Sequence, residues 1–283
     1  MATWLITGCS TGLGRALAEA ALQRGNNVVV TARDAATVED LAAPYPDAAL
    51  ALSLDVTDPD QVRSAIARGT EAFGGIDVLV NNAGYGYRAA VEEGDDGDVR
   101  TLFDTHFFGT VDAIKAVLPQ MRSRRSGTIV NLSSIGARIT PAGSGYYAAV
   151  KSAVEGLTGS LRKELEPLGI TAMVVEPGGF RTDFSGRSLQ QSPEAIDDYA
   201  ETAGKRRKEN DTSHGTQPGD PAKAAAAIIT AVESDDTPEV LVLGADATSA
   251  HTDVLRAQLA SLEEWRQISE STGVDTHQSE ETP

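Results

Sequence analysis

A short apolar run, Thr3-Trp4-Leu5-Ile6-Thr7, leads directly into Gly8-Cys9-Ser10-Thr11-Gly12-Leu13-Gly14, and that loop runs into Arg15-Ala16-Leu17-Ala18-Glu19-Ala20-Ala21-Leu22. The run has the length of a buried strand, the last segment has strong helix propensity, and Gly25 closes it. Few folds accept a strand, a glycine-rich turn and a helix start in immediate succession. The glycines let the backbone approach a ligand closely, and the free N–H groups and the helix dipole face an anion. The segment reads as a phosphate site at the head of an α/β chain. Turns are glycine-rich for steric reasons alone, so the rest of the chain has to agree.

It does. Asn27–Ala32, Leu50–Leu54, Ile76–Val80, Thr128–Leu132, Thr171–Val175 and Val240–Leu243 are further short apolar runs. Between them lie helical patterns. Asp58-Pro59 is an N-cap followed by proline at the first helical position, opening a helix to about Phe73. Leu102, Phe103, Phe107, Val111, Ile114, Val117 and Leu118 recur at helical spacing over 98–121, and another helix runs from Tyr147 to about Leu168. Apolar strands alternating with helices predict an α/β fold, a doubly wound, Rossmann-type parallel sheet of seven strands with helices on both faces.

Tyr147 and Lys151, four apart on one helix, lie on the same face. An ammonium beside a phenol favours its ionised form. A free tyrosine titrates near ~10, so working at neutral pH needs a drop worth about 4 kcal/mol. A unit charge at about 4 Å and an effective dielectric of about 20 supplies that order of energy. Tyr147 is then a candidate general acid/base, and Ser134 a hydroxyl donor to a substrate oxygen. Tyr146 has no lysine four residues on and is assigned to packing or substrate contact.

Gly8-x-x-x-Gly12-x-Gly14, Asn81-Asn82-Ala83-Gly84, Ser134, Tyr147-x-x-x-Lys151 and Pro177-Gly178-x-x-x-Thr182 stand in this order. Together they resemble the short-chain dehydrogenase/reductase family over roughly residues 3 to 245. The glycine spacing is that of its compact single-domain branch, and Thr7–Gly12 with Thr31–Asp34 looks most like hydroxysteroid and retinol dehydrogenases. The resemblance implies an NAD(P)-dependent oxidoreductase that moves a hydride between the nicotinamide and a carbonyl/alcohol pair. It implies that Gly8, Ser10, Gly12, Leu13 and Gly14 hold the pyrophosphate, that Asp55 and Val56 meet the adenine, and that Asn81, Ala83 and Gly84 lie along the adenosine. Pro177, Gly178 and Thr182 would meet the nicotinamide end, Thr182 fixing its carboxamide. Lys151 would hold the nicotinamide ribose as well as tune Tyr147. One residue departs from the pattern: His106 stands where the family has an asparagine that helps hold a water linked to the lysine. Imidazole also donates and accepts hydrogen bonds, so His106 is a fourth catalytic candidate.

Cofactor choice turns on the end of the second strand. NAD-dependent relatives carry an acidic residue there, which would repel a 2′-phosphate. Here Ala32 takes that place and Arg33 follows, offering a planar fork of donors to phosphate. NADP is therefore expected over NAD, with Asp34 as the group that could serve the ribose instead.

The chain of 283 residues carries a formal charge of −17, which disfavours nucleic acid and anionic membranes as partners. An anionic cofactor then needs local cations, and Arg15 and Arg33 are the candidates. The single cysteine, Cys9, leaves no internal disulfide and no thiolate metal cluster, and no metal is expected. A strand so near the start and the lack of an apolar run of ~18 residues lead to the expectation of a cytoplasmic protein.

Residues 1–270 are read as one dinucleotide-binding and catalytic domain, and 271–283 as a polar, disordered tail. Within the domain, 183–219 is a long insertion that covers the substrate in relatives. There Ser192-Pro193-Glu194 is expected to start a helix with Ile196, Tyr199, Ala200 and Ala203 on one face, ended by Lys205-Arg206-Arg207-Lys208. A further helix is expected over 253–269. The expected partner is a small, apolar carbonyl or alcohol substrate. Phe103, Phe107, Phe108 and Val154, Leu157, Leu161, Leu165 make two helices apolar over more than one face, and the resemblance implies that these helices pair across a two-fold axis, giving a homodimer or homotetramer. The competing reading is a catalytically silent nucleotide-sensing or scaffold protein; such proteins typically lack the tyrosine or the lysine.

Overall fold

A computed structural model describes residues 1–186, 188–213 and 215–274. Strands and helices alternate from the first: β1 (Thr3–Ile6), α1 (Gly12–Gln23), β2 (Asn27–Ala32), a short α2 (Glu39–Ala42), β3 (Ala49–Ser53), α3 (Pro59–Phe73) and β4 (Val78–Asn81). Then come β5 (Gly86–Arg88), α4 (Asp96–Phe103), α5 (Gly109–Arg124), β6 (Gly127–Leu132), a short α6 (Gly136–Ile139), α7 (Gly145–Leu165) and β7 (Ile170–Pro177). The chain continues through β8 (Leu189–Gln191), α8 (Ala203–Ser213), α9 (Pro221–Val232), β9 (Val240–Leu243) and α10 (Ala245–Glu270).

Seven strands form one parallel sheet in the order β3-β2-β1-β4-β6-β7-β9. Successive strand residues face opposite sides, so each strand feeds two cores. Trp4, Ile6, Val28 and Val30 pack with Leu17 of α1 and Ile228 and Ile229 of α9. Leu5, Val29 and Leu79 pack on the other face with Ile66 of α3, Val117 of α5 and Leu161 of α7. This is the doubly wound fold that the alternation predicts. The order reverses between β1 and β4, which opens a crevice at their carboxyl ends.

α3 starts as its sequence dictates. The Asp58 carboxylate accepts from the Asp60 and Gln61 amides at 2.9 and 3.2 Å, Pro59 follows, and Gly74 ends the helix at φ +83°. The helix expected over 98–121 runs unbroken from α4 into α5, and a π turn at Asp104–Phe108 joins the two and turns His106 into the interior. Just beyond it Gly109 lets α5 pass close to the Val56 carbonyl, where a Cβ would sit 2.8 Å from the oxygen.

The 183–219 segment differs from expectation. No α-helix starts at Ser192; the chain makes a 3-10 turn at Asp197–Tyr199, and α8 begins only at Ala203. Tertiary bonds replace the expected helical ones. The Ser192 hydroxyl donates to the Glu93 carbonyl, and the Ile196 amide donates to the Glu93 carboxylate at 2.8 Å. Lys205–Lys208 therefore opens α8 rather than ending it, and the helix-end account of these cations falls. Arg207 is held by the buried Glu93 at 2.7 Å. A second sheet, β5 paired in parallel with β8, ties the segment to the chain after β4. Its strands of three residues are too short to show a period in the sequence.

α10 begins at Ala245, earlier than expected, and reaches Glu270. Residues 271–274 follow as a turn, and the rest of the expected disordered tail, 275–283, lies outside the described residues. Among the described residues no helix is long and apolar enough to cross a membrane.

Candidate active site

A cavity of about 770 Å³ opens at the carboxyl ends of the strands, between the glycine loop, the β4 and β6 ends, α7 and the 183–219 segment. Gly8, Ser10, Gly12, Leu13, Arg33, Asp55, Val56, Ala83, Gly84, His106, Ser134, Tyr147, Lys151, Pro177, Gly178 and Thr182 all line it. Gly14 and Asn81, expected with them, do not.

Each of these two has a structural reason. Gly14 sits behind the loop, where a Cβ would overlap the Asn82 amide and the Gly8 carbonyl. Asn81 is still paired in the sheet opposite Asn131 and donates to the Asn131 side-chain oxygen at 2.8 Å. Asn131 in turn donates to Thr158 at 2.9 Å, so Asn81 knits strands to α7. The next residue, Asn82, lines the cavity and donates to the Thr7 and Gly8 carbonyls at 2.8 and 3.0 Å, fixing the glycine loop. The doubled asparagine was the signal for it.

The cavity suits a dinucleotide. Gly8 and Gly12 take positive φ, +73° and +66°, and only Thr182 stands before a Cβ at Gly12, at 3.4 Å. The N-cap of α1, Thr11, makes no side-chain cap, and its first turn carries no acidic residue. Its N–H groups and positive end are thus left for an anion. Of the two candidate cations, Arg15 is tied to Asp40 and Glu19 and does not line the cavity. Arg33 lines it, exposed and without an ion pair to any described residue. The Asp34 carboxylate accepts from the Ala36 amide at 3.0 Å and so caps the turn after β2.

At the other end of the cavity, β6 and α7 present the candidate catalytic groups. Ser134 follows β6, its oxygen accepts from the Gly136 amide at 3.0 Å, and its hydroxyl is close enough to the buried Tyr147 to favour the ionised phenol. Lys151, also buried, donates to the Leu132 carbonyl at 2.7 Å, and its Nζ lies 5.8 Å from the Tyr147 ring centre. The expected depression of the Tyr147 pKa is not what the fold gives. Burial pushes the phenol up to about 12, against the Ser134 hydroxyl and the Arg88 charge. Burial also pulls Lys151 down to about 7, against Glu155. Desolvation of both groups outweighs the charge the lysine was expected to lend, so near neutral pH Tyr147 is a protonated donor.

His106 is buried, its ring edge-on to Tyr147 at 5.9 Å. Its Nε2 lies 3.0 Å from the Tyr85 amide nitrogen and 2.8 Å from the Tyr85 carbonyl oxygen, and the tautomer decides which bond is made. Nδ1 has no hydrogen-bond partner among the described residues. Burial and the Lys151 charge hold the imidazole well below the usual histidine range, so it is neutral. Tyr146 takes the packing role: its hydroxyl donates to the Val91 carbonyl at 2.6 Å, away from the cavity. Cys9 is likewise inert, its thiol pushed up to about 12 by burial.

Tyr85, Phe180, Phe184, Gln190 and Gln217 also line the cavity, and the Phe184 ring tilts against Tyr147 at 5.8 Å. Nothing in the local spacing around Tyr85 and Phe180, or within 183–219, marks them. They reach the site through tertiary placement alone.

The family model described as short chain dehydrogenase matches residues 2–193. Oxidoreductase BOA17 of Botryotinia fuckeliana is 39% identical, over 94% of this chain and 97% of its own. A short-chain dehydrogenase of Streptomyces avermitilis superposes with a TM-score of 0.90 at 45% identity, covering 96% of this chain and 98% of that one. An alcohol dehydrogenase of Thermococcus sibiricus, complexed with 5-hydroxy-NADP, shares the fold with a TM-score of 0.71 at 23% identity, over 86% of this chain and 96% of its own.

Proposed function

The chain belongs to the short-chain dehydrogenase family, an NAD(P)-dependent oxidoreductase acting on CH–OH/C=O groups, and from that premise we propose that it uses NADP, with Tyr147 as the general acid/base. The convergence of Ser134, Tyr147 and Lys151 at one end of the cavity carries the reading. The bound cofactor supplies the hydride. Gly8, Ser10, Gly12 and Leu13 hold its phosphates on the loop and the start of α1, and Arg33 takes the 2′-phosphate. Gly14 and Asn82 shape the loop from behind.

The residues then divide the proton work. Ser134 donates a hydrogen bond to the carbonyl oxygen and orients it. Tyr147, neutral because it is buried, gives its phenolic proton to that oxygen as it becomes an alkoxide. Lys151 lies one helical turn away and helps replace the proton. Neutral His106 stands beside Tyr147 with Nδ1 free to bond, the asparagine's place in the relay. The aromatic wall of Tyr85, Phe180 and Phe184 favours an apolar carbonyl compound. The same reading has the chain acting in the cytoplasm, where a lone buried thiol needs no partner, and pairing through the helix over 98–121 and α7.

NADPH consumption with a panel of apolar ketones and aldehydes tests this. Tyr147→Phe should keep cofactor binding and lose about 10²–10⁴ in rate. A variant retaining more than half of the wild-type turnover would remove Tyr147 from the role.

A further inference from the structure

α10 is built in two parts. Its base is fixed to the body: the Asp246 carboxylate accepts from the Gly179 amide at 2.7 Å, His251 Nδ1 lies 2.8 Å from the Glu176 carboxylate, and Ala247 is buried. From Leu255 to Glu270 every residue is exposed. That stretch is about 24 Å of helix whose outer turns pack on nothing among the described residues. Isolated helices of such length are marginal in water, and most helical stability comes from packing an apolar face.

This stretch has such a face. Leu255, Leu259, Leu262, Trp265 and Ile268 are 54, 59, 57, 56 and 60% exposed. At coiled-coil spacing Leu255 and Leu262 fall on one seam position and Gln258 and Trp265 on the other, with Leu259 on one border and Val254 and Ile268 on the opposite one. Asp253, Arg256, Glu263, Glu264 and Glu270 point away from the seam. A lipid surface fits poorly, because helices that lie on membranes carry a basic polar face, whereas acidic groups outnumber basic ones here. The chain as a whole carries −17.

The stripe does fit itself. Laid antiparallel about a two-fold axis near Leu259 and Ala260, Leu255 of one copy meets Trp265 of the other. Leu262 meets Gln258, Val254 meets Ile268, and the two Leu259 side chains meet at the axis. Every large apolar side chain gains an uncharged neighbour, no charge on the outer face is buried, and Arg266, on the Leu259 border, is paired with Glu263 and Glu270 of its own helix. Such self-complementarity is what an isologous contact requires. We propose that the distal part of α10 is a self-association arm, which pairs antiparallel with the α10 of a second copy of this chain. The arm lies outside the cavity, and the inference stands independently of the reaction proposed above.

Light scattering of the full chain at micromolar concentration, with the Leu259→Glu/Leu262→Glu double variant beside it, tests the arm. The assembled mass should fall by half while NADPH turnover persists. A second measurement uses the fact that Cys9, the only cysteine, is fully buried. Leu259→Cys should cross-link into a covalent dimer on mild oxidation, at least tenfold more than Glu263→Cys on the outer face. An unchanged mass in the double variant, or a Leu259→Cys chain that stays monomeric on oxidation, overturns the proposal. So does co-sedimentation with phosphatidylcholine vesicles that the double variant abolishes, since it would assign the stripe to lipid.

Discussion

The Ser133 hydroxyl donates to the Glu155 carboxylate at 2.5 Å, one helical turn along α7 from Lys151. The bond stitches the end of β6, where Ser134 begins, to the face of α7 that carries Lys151. Arg138 of α6 lies 2.9 Å from the same carboxylate and 2.8 Å from Glu176 of β7, which is fully buried and touches His251 of α10. Burial pushes the Glu155 carboxyl up, against the Ser133 hydroxyl. Its negative charge in turn opposes the burial that pulls Lys151 down to about 7.

Glu155→Gln keeps an acceptor for Ser133 and removes the charge. With nothing left to oppose desolvation, Lys151 should lose its proton at lower pH. Turnover of the unmutated protein should inflect near pH 7, where Lys151 titrates, and in Glu155→Gln that inflection should move down. His106→Asn should leave that inflection in place, because the imidazole is already neutral throughout. An inflection that stays put in Glu155→Gln, or vanishes in His106→Asn, assigns it elsewhere.

Stability should carry the same signature. Lys151 binds its proton less tightly in the fold (about 7) than in the unfolded chain, near the ordinary 10.5. Between those values the unfolded state holds more protons, so stability rises with pH across roughly 7 to 10. Tyr147, raised to about 12, works in the opposite sense only above its unfolded value near 10. Lys151→Met should lack the rise. Melting temperatures at pH 7, 8.5 and 9.5 for the two proteins decide it.

The parts legible in the sequence were those set by local pattern. Strand length and helix period gave the sheet, and motifs at strand ends gave the cavity floor. What stayed hidden depends on partners distant in the chain. Asn81 and Asn82 look equivalent in the sequence. Only the register with Asn131 shows that the first still belongs to the ladder while the second is free to turn to the glycine loop. α8 starts late because Glu93 holds Ser192, Ile196 and Arg207. The Tyr147 pKa goes up because burial is a property of the whole fold, whereas the Tyr–Lys spacing reports only one neighbour.

Gly14→Ala tests the packing behind the glycine loop. The added Cβ meets the Asn82 amide and the Gly8 carbonyl, and the carbonyl cannot swing aside as a flexible side chain can. Overpacking of this kind costs about 1–3 kcal/mol. A drop in melting temperature of roughly 2–4 °C per kcal/mol, with weaker NADPH binding, is expected. A variant that melts with the wild type would mean that the loop is not under this constraint.

Arg207→Ala should loosen the segment over the cavity. Glu93 is 3% exposed and also accepts from the Ala90 and Ile196 amides, so removing Arg207 leaves a buried carboxylate short of its cation. Breaking a buried pair typically costs about 3–5 kcal/mol. Limited proteolysis should cut within 183–219 sooner in the variant, and the substrate KM should rise more than kcat falls. Equal cleavage rates would show that the pair does not hold the segment.

The NADP preference proposed above turns on Arg33. The residue follows β2, lines the cavity and has no described ion-pair partner, although the chain carries seventeen more acidic than basic groups, a formal −17. Asp34 beside it also lines the cavity, with one carboxylate oxygen capping the next turn through the Ala36 amide, and Ala32 offers the ribose nothing. Hydrogen bonds to a charged group contribute roughly 1.5–3 kcal/mol, so NADPH should bind about 10- to 100-fold tighter than NADH. Arg33→Ala should remove that preference by weakening NADPH while leaving NADH nearly unchanged. High salt should erode the preference as well, because the arginine is exposed. Titration of both cofactors at one ionic strength is the measurement, and equal affinities in the unmutated protein would overturn the assignment.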